Sequence, residues 1–127
     1  MRQVSIGALA LLLAAIPAGA RAPDGAEPGL DADTAARVTA LLGRTLRMPE
    51  TARYGRLRAG RAGAFCGEVE TTNRMGQPVG PRHFVADLDA GIAGILPDGP
   101  ELRNPGSPQD YAAMQRILTL YAANCAA

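Results

Sequence analysis

The sequence predicts a small α+β domain in which an N-terminal helix, three or four antiparallel strands and a C-terminal helix follow one another. Apolar residues at helical spacing mark both ends of the domain, while the segment between them breaks into short runs separated by Gly-rich turns. Its two cysteines, Cys66 and Cys125, are predicted to form one disulfide. This order is typical of a sheet with the last helix packed on it.

The first twenty residues have the zones of a cleavable secretory signal. Arg2 precedes an apolar run of 13 residues that ends at Ile16, and a proline and small residues follow. The run is shorter than the roughly 20 residues with which an α-helix spans a bilayer. We therefore predict a signal peptide at residues 1–20, cleaved near Ala20 with Ala22 as the alternative, and export to the periplasm or the medium.

Removal of the signal leaves one domain's length of chain. We predict a flexible leader at residues 21–29, which are rich in Pro, Gly and Ala, and a single domain at residues 30–127. All 13 basic residues are arginines, and without Arg2 they balance the 12 acidic residues. This neutrality argues against a nucleic-acid partner, and the lack of a second long apolar run argues against stable membrane insertion.

The composition favours a covalent link between the cysteines. With no Trp, two Phe and three Tyr, the core must come mostly from small aliphatic residues. In an exported protein, a lone pair such as Cys66 and Cys125 is more often a disulfide than two thiols. The absence of a C-x-x-C spacing and the single His disfavour a redox or metal-binding pair, so no metal and no cofactor is predicted.

The first helix begins near Leu30 and ends between residues 43 and 47. Asp31 or Asp33 is placed to accept hydrogen bonds from its first turn, and Pro49 forces the chain out of helical conformation. Apolar residues recur through this segment at three- and four-residue spacing. An amphipathic helix is therefore expected.

Short runs bounded by turn residues predict the strands. We place them at residues 53–58, 64–71 and 83–88, and a weaker one at 91–96. The Asn, Gly and Pro residues of segment 72–82 predict a long hairpin loop.

The last helix has the clearest local signals. It follows a turn-rich surface connection at residues 97–108, with Ser107 as N-cap, Pro108 at the first helical position and Asp110 in the first turn. Its predicted apolar stripe consists of Tyr111, Met114, Leu118, Tyr121 and Cys125.

Strand alternation creates a conflict at Cys66. If Val69 faces Phe84 across the central strands, the apolar side chains share one face of the sheet. The other face then carries Cys66, Glu68, Glu70, His83 and Asp87. Either the last helix covers this second face, or a bulge at Gly67 turns Cys66 towards the core. Because glycine tolerates the backbone of a bulge, we favour the bulge.

The central segment has a distinctive order of turns and charges. It runs Pro49-Glu50-Thr51-Ala52-Arg53-Tyr54, then Cys66-Gly67-Glu68-Val69, then Asn73, Gly76, Gly80 and Phe84. About a third of the chain thereby resembles a group of short exported proteobacterial proteins whose core reads roughly CGEVNxKNxxGxYxGxxxF. Glu70 and Thr72 depart from that pattern, which usually has Asn and Lys there. The resemblance implies an exported domain with a disulfide. It implies nothing about an activity or a substrate.

The polar face offers the sharpest catalytic hypothesis. His83 is placed to transfer a proton, with Glu68, Glu70 or Asp87 orienting it across the hairpin. This arrangement would suit a small hydrolase-like enzyme. Alternating polar residues are equally typical of a solvent-facing sheet, and no nucleophile is identifiable beside His83.

Two surfaces are candidates for binding. Residues 44–61 carry six arginines against one acid, and Arg56 and Arg58 are expected to share a strand face with Tyr54. A charged edge strand protected from aggregation gives the same pattern. The 72–82 loop, with Asn73, Arg74 and Gly76, is the other candidate because exposed loops on a rigid sheet commonly carry recognition, although the same residues suit a turn.

These observations favour a small non-catalytic binding module of the bacterial envelope, with an envelope protein or a glycan as its partner. A hydrolase-like enzyme using His83 with Glu68 or Glu70 is one alternative. A periplasmic inhibitor or immunity-type protein that uses the 72–82 loop as a plug is another.

Overall fold

The computed structural model describes residues 30–127, so the predicted signal peptide and leader lie outside the described residues. It confirms the α+β class, with a four-stranded antiparallel sheet in the order β1-β2-β3-β4. The elements, in chain order, are α1 Ala32–Gly43, a 3₁₀ helix Pro49–Thr51, β1 Arg53–Ala59, β2 Phe65–Thr72, β3 Pro78–Asp87, β4 Ile92–Ile95, α2 Gly99–Arg103 and α3 Pro108–Asn124.

The sheet lies between two helices, one on each face. α1 covers one apolar core and α3 covers a smaller one, and both are buried from solvent. The core under α1 contains Ala35, Val38, Leu42, Leu57, Val69, Phe84 and Ala86. The core under α3 contains Ala64, Cys66, Val85, Ile117 and Cys125. The predicted disulfide is present, with an S–S distance of 2.05 Å and 5.7 Å between the Cα atoms of Cys66 and Cys125.

The second helix layer resolves the orientation of Cys66. The strand alternation was predicted correctly, but the register differs, since Phe84 lies opposite Gly67 and Val69 opposite Arg82. The favoured bulge at Gly67 is wrong, because the β2–β3 pairing is regular through that position. Cys66 instead points to the second face, where α3 supplies a core of its own.

Gly67 is required because the ring of Phe84 lies directly over it. A Cβ at Gly67 would lie 2.7 Å from two ring carbons of Phe84, and that ring is fully buried in the core under α1. We expect Gly67→Ala to lower the free energy of unfolding by about 2 kcal/mol through overpacking, measured by urea denaturation. Gly55→Ala is the matched control, since its Cβ would meet nothing within 4 Å. Equal losses in the two variants would contradict this packing argument.

The predicted long hairpin loop is wrong. β2 runs to Thr72 and β3 begins at Pro78, which leaves a turn of five residues, 73–77. Prolines fit here because β4 ends opposite Phe84, so the first half of β3 has one side without a neighbouring strand. Gly80, with φ of +80°, lies within the register shift between β2 and β3.

The helix caps agree with the sequence prediction. The Ser107 hydroxyl accepts a hydrogen bond from the backbone N–H of Asp110 at 3.0 Å, and Asp31 accepts one from Thr34 at 2.7 Å. This backbone hydrogen bond, followed by one from the Thr34 hydroxyl, holds the pKa of Asp31 below its usual value.

The predicted stripe of α3 is partly wrong. Tyr111 is exposed, while Ile117 and Asn124, which the stripe omitted, are buried. The connection predicted at residues 97–108 also contains the short helix α2, capped by Asp98. The contacts of α3 with the sheet therefore come from its second half.

Candidate functional site

A cleft lies where the end of α3 crosses the sheet. It has a volume of about 270 Å³, and the Cys66–Cys125 disulfide lies along it. The charged and aromatic side chains that line it are Arg56, Arg58, Glu68, His83 and Tyr121. We call this site the arginine cleft. It combines Glu68 and His83, from the polar face of the predicted sheet, with Arg56 and Arg58, from the arginine-rich segment 44–61.

A β-bulge in β1 places Arg56 at the cleft. Gly55 lies opposite Glu68 and Arg58 opposite Cys66, so β1 contains one more residue than β2 across this interval. Arg56 takes up the extra length with φ of +50°, a left-handed conformation that costs a non-glycine residue about 1 kcal/mol. Backbone strain of this kind is concentrated at functional sites in proteins.

The bulge also separates Tyr54 from the arginines. Tyr54 packs against the core under α1, where its ring meets Phe84 edge-on at 6.2 Å between centroids. Burial raises the pKa of the Tyr54 phenol above its usual value. The expectation that Arg56 and Arg58 share a face with Tyr54 is therefore wrong, since both arginines line the cleft on the α3 side.

Glu68 lies between two basic side chains. Its Oε2 is 3.8 Å from Nε of Arg56, and its Oε1 is 4.0 Å from Nδ1 of His83. Both separations exceed the roughly 2.7–2.9 Å of a direct charge-assisted hydrogen bond. The side chain of Glu68 is 25% exposed, whereas that of Arg56 is 83% exposed. The carboxylate is thus held in the wall of the cleft while the guanidinium extends into solvent.

Arginines from the β1–β2 hairpin hold the end of α3. Arg58 donates a hydrogen bond to the carbonyl oxygen of Cys125 at 3.1 Å. Arg61 donates to the carbonyl oxygens of Ala122, at 3.1 Å, and of Ala126. The last carbonyls of a helix lack helical partners and carry partial negative charge, so cations stabilise them. Arg58 therefore has a structural role that leaves Arg56 as the more available of the two arginines.

Asn124 completes this attachment. Its side-chain oxygen accepts hydrogen bonds from the backbone N–H groups of Ala62, at 2.8 Å, and Ala64, at 3.0 Å. Its amide nitrogen donates to the carbonyl oxygen of Leu120 at 3.0 Å. Its Cβ lies where a side chain on Gly60 would begin, so the hairpin backbone approaches α3 closely there. Asn124 thereby joins the β1–β2 hairpin to α3.

Tyr121 was not predicted as a site residue. Its ring lies 6.0 Å from that of His83, centroid to centroid, with an interplanar angle of 51°. Tyr121 belongs to the predicted apolar stripe of the helix, and this pattern indicates a core residue and not a site residue. Its position could have been predicted from the disulfide. Tyr121 lies one helical turn before Cys125, and the bond from Cys125 to Cys66 brings that turn next to Glu68 and His83.

Two of the predicted acids lie elsewhere. Glu70 lines a separate hollow of about 400 Å³ between the 3₁₀ helix and the β2–β3 hairpin, together with Arg53. In the same hollow the hydroxyl of Thr72 is buried, and residues 30–127 offer it no hydrogen-bond partner. Asp87 accepts a hydrogen bond from the N–H of Ala90 in the β3–β4 turn. Of the proposed acids, only Glu68 is therefore paired with His83.

The predicted loop residues form the hairpin turn. The Asn73 side chain accepts hydrogen bonds from the N–H groups of Met75 and Gln77, and Gly76 has a φ of +76°. Arg74 is exposed in the same turn, and none of the three predicted residues lines the arginine cleft. At 82% exposure, Met75 is the apolar side chain that a plug-like inhibitor would present.

Comparison with known proteins adds no relative. No family model, no curated protein and no solved structure matches the chain. The resemblance to the exported proteobacterial group therefore stays a prediction. Within the described residues, no helix has the length and apolarity needed to cross a membrane, and no three metal-ligating side chains form a cluster.

Proposed function

We propose that this chain is a small exported module of the bacterial envelope that binds an envelope component, a protein or a glycan, at the arginine cleft. The proposal is based on the conformation and exposure of Arg56. Its backbone is left-handed, and its side chain is 83% exposed beside Glu68, whose side chain is 25% exposed. An exposed ion pair contributes little to stability, so it offers small compensation for this conformation. A ligand that uses the guanidinium explains the arrangement.

Several features support export. The N-terminal sequence has the zones of a secretory signal, and disulfides persist mainly in oxidising compartments. The disulfide joins the sheet to the end of α3 and lies along the cleft, so the covalent link and the binding site occupy the same part of the domain.

The geometry supports binding better than hydrolysis. His83 is 57% exposed, and its Nδ1 is 4.0 Å from Glu68, too far for the hydrogen bond that orients a catalytic base. In the described part of the chain, no serine, threonine or free thiol lines the cleft. A hydrolase-like activity remains the second candidate because His83 and Glu68 do lie together, and it would require an activated water as the nucleophile.

Arg56→Gly tests the proposal because glycine accepts the left-handed backbone. We expect the variant to keep or slightly raise the melting temperature, since it removes about 1 kcal/mol of backbone strain, while it loses the guanidinium. Tagged wild-type and variant chains are used to capture components from a native periplasmic extract. Retained protein is identified by mass spectrometry and glycan by sugar analysis. We expect retention of specific components to fall about ten-fold in the variant.

Arg53→Gln is the matched control for charge. Arg53 is exposed on the same strand but lines the hollow that contains Glu70, so its replacement removes one positive charge without altering the arginine cleft. We expect the control to retain components as the wild type does. Equal retention by wild type and Arg56→Gly would reject the cleft as the binding site.

A further inference from the structure

We infer that the arginine cleft binds a single hexose-sized sugar bearing a carboxylate or phosphate group. In this arrangement the anionic group meets the Arg56 guanidinium, the sugar hydroxyls donate to Glu68, and the ring lies against Tyr121 and His83. The inference rests on the proposed function and specifies its ligand class.

The size of the cleft suits a small group. Its volume of about 270 Å³ lies just below the usual range for pockets that enclose drug-sized ligands, roughly 300–1,000 Å³. One pyranose ring with its substituents is of suitable size. A folded protein surface would have to insert one projecting side chain, and that alternative is an outcome of the test below.

Arg56 supplies the charge for an anion. Its nearest contact to the Glu68 carboxylate is 3.8 Å, so the five N–H donors of the guanidinium are available. A guanidinium binds a carboxylate or a phosphate through two parallel hydrogen bonds, which makes arginine the preferred partner for both groups. Arg58 differs because its guanidinium already donates to the Cys125 carbonyl oxygen.

Glu68 indicates that the ligand carries hydroxyls as well as an anion. A bare anion at Arg56 would stand close to the Glu68 carboxylate, and like charges at such short range repel each other. An ionised carboxylate only accepts hydrogen bonds, and within residues 30–127 the structure gives Glu68 no direct one. Sugar hydroxyls provide several uncharged donors for that carboxylate at a distance from the anionic group. An ionised acidic side chain provides none, and inorganic phosphate provides only the P–O–H groups of the anion that Glu68 repels.

The two rings provide an apolar wall. Tyr121 and His83 lie 6.0 Å apart, centroid to centroid, beside the charged groups. The C–H bonds of a pyranose carry partial positive charge and pack favourably on the electron-rich face of an aromatic ring. Apolar and aromatic surface beside a few polar groups is the usual composition of a small-molecule site.

Titration of the full chain, expressed with its own N-terminus and purified as the cell processes it, tests the inference. The probes are glucuronate, glucose 6-phosphate, neutral glucose and inorganic phosphate at constant ionic strength, followed by ¹H–¹⁵N NMR. We expect one of the two charged sugars to bind about ten-fold more tightly than glucose and inorganic phosphate. Whichever of the two binds identifies the anionic group. The shifted signals should include those of Arg56, Glu68, His83 and Tyr121.

Two variants locate the interaction. Arg56→Gly is expected to weaken binding of the charged sugar about ten-fold. Glu68→Ala, which removes the acceptor oxygens and the like charge together, is expected to reduce the preference for the charged sugar over inorganic phosphate about ten-fold, while Arg53→Gln leaves both unchanged. Equal binding of glucose and the charged sugars, equal binding of inorganic phosphate, or no binding of any probe would each overturn the inference. If all sugars fail while the extract still yields a protein retained through Arg56, the cleft accepts a projecting side chain of that protein; the sugar is then the wrong ligand class and the binding module stands.

Discussion

Reduction of the Cys66–Cys125 disulfide is expected to lower the free energy of unfolding by about 4 kcal/mol. The two cysteines are 59 positions apart, and closing a loop of that length removes about this much conformational free energy from the unfolded chain. Domains of this size have total stabilities of about 5–15 kcal/mol, so the loss is a large fraction of the total. It corresponds to a fall of about 20 °C in melting temperature.

The measurement compares urea unfolding of the oxidised and reduced chains. Because the effect acts on the unfolded state, we expect the denaturant slope to increase on reduction, as the unfolded chain expands and exposes more surface. The double variant Cys66→Ala, Cys125→Ala should resemble the reduced protein and should not respond to reductant. Unchanged stability on reduction of the wild type would contradict the argument.

The positions of most helices and strands could be predicted from the sequence because caps and turns depend on neighbouring residues. Ser107, Pro108 and Asp110 define the start of α3 through a cap that needs no tertiary contact. The extent of the β2–β3 hairpin was not predictable in this way. Prolines 78 and 81 indicate a loop unless β4 is known to stop short of them, and the length of β4 relative to β3 is a tertiary property.

The arrangement of layers was harder to predict than the elements. Alternation correctly divides the side chains of β2 and β3 between two faces, but it places Cys66 on a face that is otherwise polar and so favours a bulge at Gly67. The structure places α3 over half of that face, so the same face is apolar near Val85 and polar near Glu68. Alternation within a strand carries no information on how far a helix extends across the sheet.

The site was predicted in separate parts. His83 and Glu68 came from the polar face, and Arg56 and Arg58 from the basic edge, but nothing in the sequence joined the two sets. The bulge that joins them is at Arg56, a residue that rarely adopts a positive φ, so the sequence gives no sign of it. Tyr121 required the disulfide as a spatial restraint.

Attachment of α3 and formation of the cleft depend on the same few residues. Tyr121 and Cys125 form one wall of the cleft, and Asn124 joins this part of α3 to the β1–β2 hairpin. When the disulfide is lost, the end of α3 is attached to the β1–β2 hairpin through the hydrogen bonds of Asn124, Arg58 and Arg61. Substitutions at Asn124 and at the cysteines are therefore expected to be non-additive, since they act on one shared contact region.

Asn124→Ala is expected to lower the free energy of unfolding by about 3 kcal/mol. The change removes the acceptor of two backbone N–H groups, those of Ala62 and Ala64, and the donor to the Leu120 carbonyl oxygen. Leaving a buried polar group without a partner costs about 1–3 kcal/mol, and the Ala64 contact is buried. The apolar periodicity of the helix does not predict the burial of Asn124, because this polar side chain is buried through its hydrogen bonds.

Urea denaturation measures the loss, and amide hydrogen exchange locates it. Exchange at Ala62 and Ala64 should accelerate in Asn124→Ala, while exchange at Arg61 should change less, because its N–H bonds the backbone oxygen of residue 124, which the substitution keeps. Gln115→Ala, at an exposed position of the same helix, should stay within about 0.5 kcal/mol of the wild type. If Asn124→Ala is equally mild, the hairpin does not depend on this side chain, and the disulfide with Arg58 and Arg61 must hold the α3 wall of the cleft.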